Sequence, residues 1–417
     1  MKWLAALLLL GAAGAAQAQV IRQIAFEGND TTRESTMLRE LVVHPGDAAD
    51  PVTIERSRQA IQDLALFSAV SARIEPSGDG VRVIFTVKEK FYFIPAPRAD
   101  ANSDGQYAYG AQLRWYNVLG LNHVAKLTLK QQDRKETGRG KALAFDGSYD
   151  APFVFDSPYG LSLSYSHSVE SVAGTAVHAA FDERRESVHA GVSRSLPHEG
   201  PASQGWRAGA GLLWQVARHE GATAAAPPAD GQATGAGLNT SYNDVRFNVY
   251  SEEGQKFSAG LQVATRRFLS DYAFTQWTAQ YGRSWYIGEA PHQTVAVFAE
   301  GGLYEGGPPE ALGAFELGGS GDLRGYPLHI SQGNSYYYAG VEALRPLYWN
   351  WLRGVVWFEA GNTFGDEPRF DFDDSYSDVG LGVRLRIPFF VKFELNVGYA
   401  VPLRGGAAGR FFATGRR

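Results

Sequence analysis

The chain has 417 residues, 44% of them hydrophobic, 20% charged and 13% aromatic, with a formal net charge of −5 and a mean hydropathy of −0.23. Without cysteine it has neither a disulfide framework nor a thiolate metal site. The mild acidity gives no sign of nucleic-acid binding, and the low hydropathy argues against a bundle of membrane helices.

Lys2, the apolar run from Trp3 to Ala16 and the small-residue end Ala16-Gln17-Ala18 form a secretory signal, so residues 1–18 are expected to be removed. Val20 to Asn29 then reads as a strand ending in a Gly28-Asn29 turn. A helix capped by Thr31 or Thr32, with Glu34 in its first turn, is expected to bury Met37, Leu38, Leu41 and Val42. Pro45-Gly46 breaks it, and Asp50 before Pro51 starts a second helix with Ile54, Ile61 and Leu64 on one face. Val70 to Ile74 and Val81 to Val87 alternate around Ser77-Gly78-Asp79-Gly80 as two more strands.

From about Arg98 no helical stretch follows. Segments of period two take over, as in Leu161-Ser162-Leu163-Ser164-Tyr165-Ser166, where apolar side chains share one face and hydroxyls the other. Starts near Arg98, Tyr107, Leu121, Lys141, Gly160, Arg185, Gly205, Gly237, Gly254, Tyr272 and His292, then Tyr336, Leu352, Ser377, Phe390 and Arg410, give about sixteen strands. The fold class expected is an all-β transmembrane barrel with one small N-terminal α+β domain. Its 20 Tyr and 9 Trp suit girdles at two lipid interfaces. The long turns 221–235 and 365–374 are expected outside the cell. Pro95 and Pro97 just before the first strand, with Gly405, Gly406 and Gly409 in the last, predict a closing seam poor in hydrogen bonds.

Between the eleventh and twelfth strands lies Gly318-Gly319-Ser320-Gly321-Asp322-Leu323-Arg324-Gly325-Tyr326-Pro327. One guanidinium inside a bore needs a carboxylate partner, best met with two parallel hydrogen bonds. In Trp357-Phe358-Glu359-Ala360-Gly361 the alternation turns Trp357, Glu359 and Gly361 to the lumen, so Glu359 is the expected acceptor. If the pair is direct, exchanging the two charges should recover what either single reversal loses.

Two resemblances follow. In Gly28-Asn29, Pro45-Gly46-Asp47, Leu66-Phe67-Ser68 and Val87 to Lys90, residues 19–90 resemble a POTRA domain, the periplasmic module of the BamA/TamA superfamily, with Gly28, Asn29, Gly46 and Phe67 as its motif. Leu323, Arg324, Gly325 and Tyr326, with Trp357 to Gly361, are similar to the inward-folded loop and acceptor strand of BamA/TamA-type barrels and two-partner-secretion transporters. There an Arg-Gly-aromatic tip docks on an Asp; Glu359 adds a methylene, which implies a looser or shifted docking. The end Phe411 to Arg417 departs from the aromatic finish usual in those barrels.

The resemblance implies domains at 1–18 (signal), 19–90 (POTRA) and 91–417 (barrel), in the outer membrane of a Gram-negative bacterium with the POTRA domain in the periplasm. It implies assembly or translocation of polypeptides. Expected partners are membrane lipids, extended clients at the POTRA edge, and periplasmic chaperones or accessory proteins. Secretion of one dedicated substrate and a passive channel are the alternatives. No nucleotide loop, Gly-x-Ser-x-Gly or His-Glu-x-x-His occurs, so neither enzyme activity nor a cofactor is expected.

Overall fold

The computed structural model describes residues 19–101, 107–134, 137–172, 180–220, 230–306, 315–319, 321–328, 330–365, 372–405 and 408–415. The leader 1–18 and the turn segments 221–229 and 366–371 lie outside the described residues.

The N-terminal part runs β1 (Ile21–Glu27), α1 (Glu34–Leu38), α2 (Pro51–Asp63), β2 (Phe67–Ser77) and β3 (Gly80–Glu89). Its sheet has the order β1-β3-β2, with β1 parallel and β2 antiparallel to the central β3. Asp50 caps α2 through the amides of Val52 and Thr53, with Pro51 at the first helical position, and Ile54, Ile61 and Leu64 are buried. The first helix departs from expectation. Arg33 occupies the cap position without a side-chain bond, because Glu89 of β3 takes the amides of Thr31 and Thr32 at 3.1 and 2.7 Å. The helix stops at Leu38, which is exposed, while Met37, Leu41 and Val43 go into the core instead of the Leu38 and Val42 expected. Ser57 of α2 holds the amides of Val42 and Val43 at 3.0 and 3.2 Å, turning the chain out of helical register.

The barrel strands before the loop are β4 (Phe93–Ala101), β5 (Tyr107–Val118), β6 (His123–Asp133), β7 (Lys141–Ala151), β8 (Tyr159–Val172), β9 (Phe181–Ser195), β10 (Gly205–Glu220), β11 (Gly231–Asn248), β12 (Ser251–Ala264), β13 (Phe274–Tyr286) and β14 (Thr294–Glu305). Two short strands within the loop, β15 (Phe315–Leu317) and β16 (Ser331–Gly333), pair with each other; the sequence pattern did not reveal them. After the loop come β17 (Ser335–Pro346), β18 (Leu352–Phe364), β19 (Tyr376–Arg386), β20 (Glu394–Pro402) and β21 (Arg410–Gly415). Apart from β15 and β16, β4 to β21 form one sixteen-stranded antiparallel sheet in chain order. Alternation assigns the faces: along β18, Val356 and Phe358 are exposed towards lipid while Val355, Trp357 and Glu359 are buried inside.

Among the described residues β4 and β21 end the sheet without a ladder between them. Pro95 and Pro97 lie within β4, five residues ahead of the expected start, and keep register with Leu113 and Ala111 of β5. Proline is tolerated in such an edge strand when its hydrogen-free nitrogen faces away from the ladder, here towards the seam. Gly405 and Gly409 precede β21 and belong to the turn, so they do not weaken the last strand as expected; Gly406 lies outside the described residues. Nor does Phe390 begin a strand: β20 starts at Glu394, and Val391 is buried in the core of the N-terminal domain.

That core is shared across the junction. Ile21, Met37, Phe67 and Phe85 cluster with Tyr92, Ile94 and Tyr116 of the barrel rim and with Val391 in the β19–β20 turn. Polar contacts stitch the same rim. Arg33 N and Thr36 Oγ1 donate to Gly120 O at 3.0 and 2.8 Å, Ser203 N donates to Glu40 Oε2 at 3.0 Å, and Phe247 N donates to Asp63 Oδ1 at 2.8 Å. Lys90 Nζ stands 4.4 Å over the Phe247 ring. Burial pushes the Asp63 carboxyl up to about 6 and the Lys90 ammonium down to about 7, and it raises Glu40 as well.

Asp63 binds a proton more tightly docked than free, so docking is strongest below its free value of 3.8 and weakens as pH rises to about 6. The loss amounts to at most about 3 kcal/mol. Spin labels on cysteines placed at the exposed positions Val52 and Leu119 should broaden in distance across that window. Asp63→Asn should flatten the response; an unchanged pH dependence would remove Asp63 as its source.

Candidate functional site

The loop after β14 folds back into the lumen and meets the wall at β17, β18 and β19. Gly318 and Gly319 adopt φ of 113° and 110°, conformations that reverse the chain at the loop neck, and Leu323 takes φ 48° just before the tip. Leu323 and Tyr326, 0% and 2% exposed, pack with Leu317 and Tyr338, so the tip is seated by apolar contact on both sides of its arginine.

Arg324 is 7% exposed and Glu359 fully buried. Glu359 Oε1 accepts from Arg324 N at 2.6 Å, and Arg324 Nη2 and Nε donate to Oε2 at 2.8 and 3.1 Å. Tyr338 OH donates to the same Oε2 at 2.7 Å. The added methylene lets this carboxylate reach the tip backbone as well as the guanidinium. Trp357 lies with its ring centroid 4.2 Å from the guanidinium carbon and donates Nε1–H to Asp378 Oδ1 at 3.1 Å. A Cβ on Gly380 would come 2.0 Å from the Trp357 ring, so that glycine clears the wall for the indole. Gly361 touches no loop charge; a Cβ there would press on Tyr337 O at 2.7 Å and Leu317 Cδ1 at 3.2 Å, so its part is to leave room.

Sequence reasoning did not single out Asp378. It is fully buried, it is the cross-strand partner of Glu359, and its Oδ2 accepts from Gly325 N at 2.9 Å. Two carboxylates directly opposite each other repel, and the tip brings a guanidinium and an amide to Glu359 and a second amide to Asp378. Only the register with Glu359 reveals its part. Glu342 was also missed: it accepts from Arg324 Nη1 at 3.0 Å and from Arg384 Nη2 at 2.7 Å. Tyr326 OH donates to Ser377 O at 2.9 Å, and Arg410 of β21 donates to Tyr326 O, linking the tip to the last strand.

The charges continue down the wall as an alternating string. Arg384 stands 3.4 Å from Glu394, Glu394 is 2.7 Å from Arg386, and Arg386 is 3.0 Å from Glu252 at the rim. Arg386 also lies 5.5 Å from the Phe247 ring that Lys90 covers.

Of the remaining candidates, Gly28 has φ 80° and a Cβ there would meet Val87 O at 2.2 Å, and Gly46 has φ 100°. Asn29 Nδ2 donates to Thr32 O at 3.0 Å, and Phe67 is fully buried. These residues shape the N-terminal domain far from the tip. Among the described residues no group of His, Asp and Glu is arranged to hold a metal ion.

Because Glu342 and Asp378 flank the pair, an Arg324→Glu/Glu359→Arg exchange puts the new carboxylate against Glu342. The exchange expected from sequence to restore function should therefore fail. Gly325→Ala tests the seat with every charge kept: its Cβ would stand 2.8 Å from Asp378 Cβ and 3.1 Å from Pro402 N. It should lower the midpoint of heat-induced barrel unfolding on unheated-sample gels. Glu359→Gln, which breaks a buried pair, should lower it further, with a stability loss of roughly 3–5 kcal/mol. Wild-type midpoints in both variants would show the tip to be loosely held.

The Omp85 superfamily domain matches residues 117–409, and the POTRA family, described as a surface antigen variable number repeat, matches residues 19–90. Over 70 residues the chain is 34% identical to the outer membrane protein assembly factor BamA of Nitratidesulfovibrio vulgaris, a stretch covering 17% of this chain and 9% of that relative. Among solved structures, CdiB from Acinetobacter baumannii superposes with a TM-score of 0.61 at 14% identity, over 96% of this chain and 73% of that one. BamA from Haemophilus ducreyi lacking POTRA domains 1–3 gives 0.54 at 14% identity, over 95% and 84%.

Proposed function

This chain belongs to the Omp85 superfamily of outer-membrane β-barrels, and we propose on that premise that it inserts or translocates polypeptides, with its N-terminal domain in the periplasm. The observation that carries the reading is the sheet that ends at β4 and β21 without a ladder between them among the described residues. A bilayer leaves no water to satisfy strand edges, so an unladdered seam is costly in lipid unless another strand pairs there. An incoming client strand is such a partner.

The N-terminal domain offers a second edge. Backbone bonds from Gly46 and Ala49 to Ile21 and Gln19 occupy the start of β1, leaving β2 open. Beside β2, Val70, Ala72 and Ile74 form a groove with Pro51, Ile54 and Arg58 of α2. An extended client can add to β2 through main-chain bonds while apolar side chains enter the groove. The docked tip, bound to β18, β19 and β21, braces the wall next to the seam.

Depletion of the protein should reduce the folded outer-membrane proteome; loss of one secreted protein with the rest intact would favour a dedicated exporter. A cysteine pair across the seam, one in β4 and one in β21, gives a sharper test in a chain with no native cysteine. Oxidation should stop client assembly and reduction restore it. A passive channel would instead give large, steady single-channel conductance, indifferent both to the cross-link and to Arg324→Glu.

A further inference from the structure

We propose that Arg353, at the rim end of the ion string, is the centre of an anion-binding site that takes one carboxylate or phosphate group at the mouth of the barrel. Arg353 is the second residue of β18, immediately after the turn at 347–351. It is the register partner of Arg384, so both guanidinia stand on the lumenal face of neighbouring strands. Like charges directly opposite each other need a counter-charge between them.

The nearby carboxylates form their ion pairs with other arginines, and Glu394 and Glu252 reach Arg353 only through space. Glu342 holds Arg324 and Arg384, Glu394 holds Arg384 and Arg386, and Glu252 holds Arg386. Arg353 is 3% exposed, yet among the described residues its side chain forms no ion pair and its Nε finds no acceptor; Nη1 of Arg386 finds none either. A guanidinium without a paired carboxylate at this depth is among the least favourable groups a protein buries. Its planar fork matches a group presenting two oxygens, as a carboxylate or phosphate does.

Position suggests where that group comes from. The turn before β18 lies on the same rim as the β11–β12 and β19–β20 turns that touch the N-terminal domain, so a chain passing between domain and lumen would travel past Arg353. A polypeptide carboxylate and a free inorganic oxyanion share the required chemistry. The site does not depend on the insertase reading, and its failure would leave that reading untouched.

The test uses the full chain in detergent micelles at constant ionic strength, following the unfolding midpoint and ligand titrations. The probes are inorganic phosphate, a short uncharged peptide with a free C-terminal carboxylate, and the same peptide as its amide. A saturable rise with the peptide acid and not the amide supports the site and assigns it to polypeptide ends or acidic side chains. A rise with phosphate supports it and assigns it to free oxyanions. Arg353→Gln, which removes an unpaired charge and should fold, should weaken binding roughly tenfold to a hundredfold. Arg353→Lys, which keeps the charge but loses the fork, should fall between. Wild-type protein indifferent to both anions, or an equal response in Arg353→Gln, overturns the proposal.

Discussion

The lumen is organised around one carboxylate that has no access to water. Glu359 stands directly across from Asp378, an arrangement that two adjacent strands could not sustain unless positive charge and N–H donors were brought to them. The loop brings both: the Arg324 guanidinium with its backbone amide to Glu359, and the Gly325 amide to Asp378. Trp357 closes the arrangement by stacking on the cation and bonding the second acid. Each side is therefore unfavourable without the other. The glycines around the site, Gly325, Gly361 and Gly380, are there for clearance.

Much of this was legible in the sequence because alternation is a strong signal where one face meets lipid. The strand number and the inward direction of Glu359 follow from period two, and a lone arginine in a glycine-rich loop marks itself. What stayed hidden depended on relations between strands. Asp378 and Glu342 carry no local signal, and only the register and the tip contacts set them beside Glu359 and Arg324. The two strands of the loop hairpin are three residues each, too short for any periodic pattern. The first helix was misread because a distant side chain, Glu89, took over the amides that a local cap would have satisfied. Prolines near the seam were placed outside the strand because proline interrupts most strands; an edge with no ladder on one side removes that penalty.

The N-terminal domain and the barrel are not two bodies joined by a free linker. They share one apolar cluster, and buried carboxyls on the domain face meet amides of the rim. Phe247 sits at the crossing point, its amide on Asp63, its ring under Lys90 and near Arg386, which is itself a member of the ion string leading to the tip. Displacement of the domain therefore changes the surroundings of the charges that lead to the loop, through contacts that are continuous in space.

Between the end of β3 at Glu89 and the start of β4 at Phe93 there are three residues. Fully stretched they span about 10 Å, and in place they are already tied, Lys90 to Leu66 and Phe91 to Phe389. The connection has almost no slack, and the strand it enters is the unladdered edge. Tilting the domain would act as a lever on that edge, turning a pull on the domain into a tug on a stave fastened along one side only.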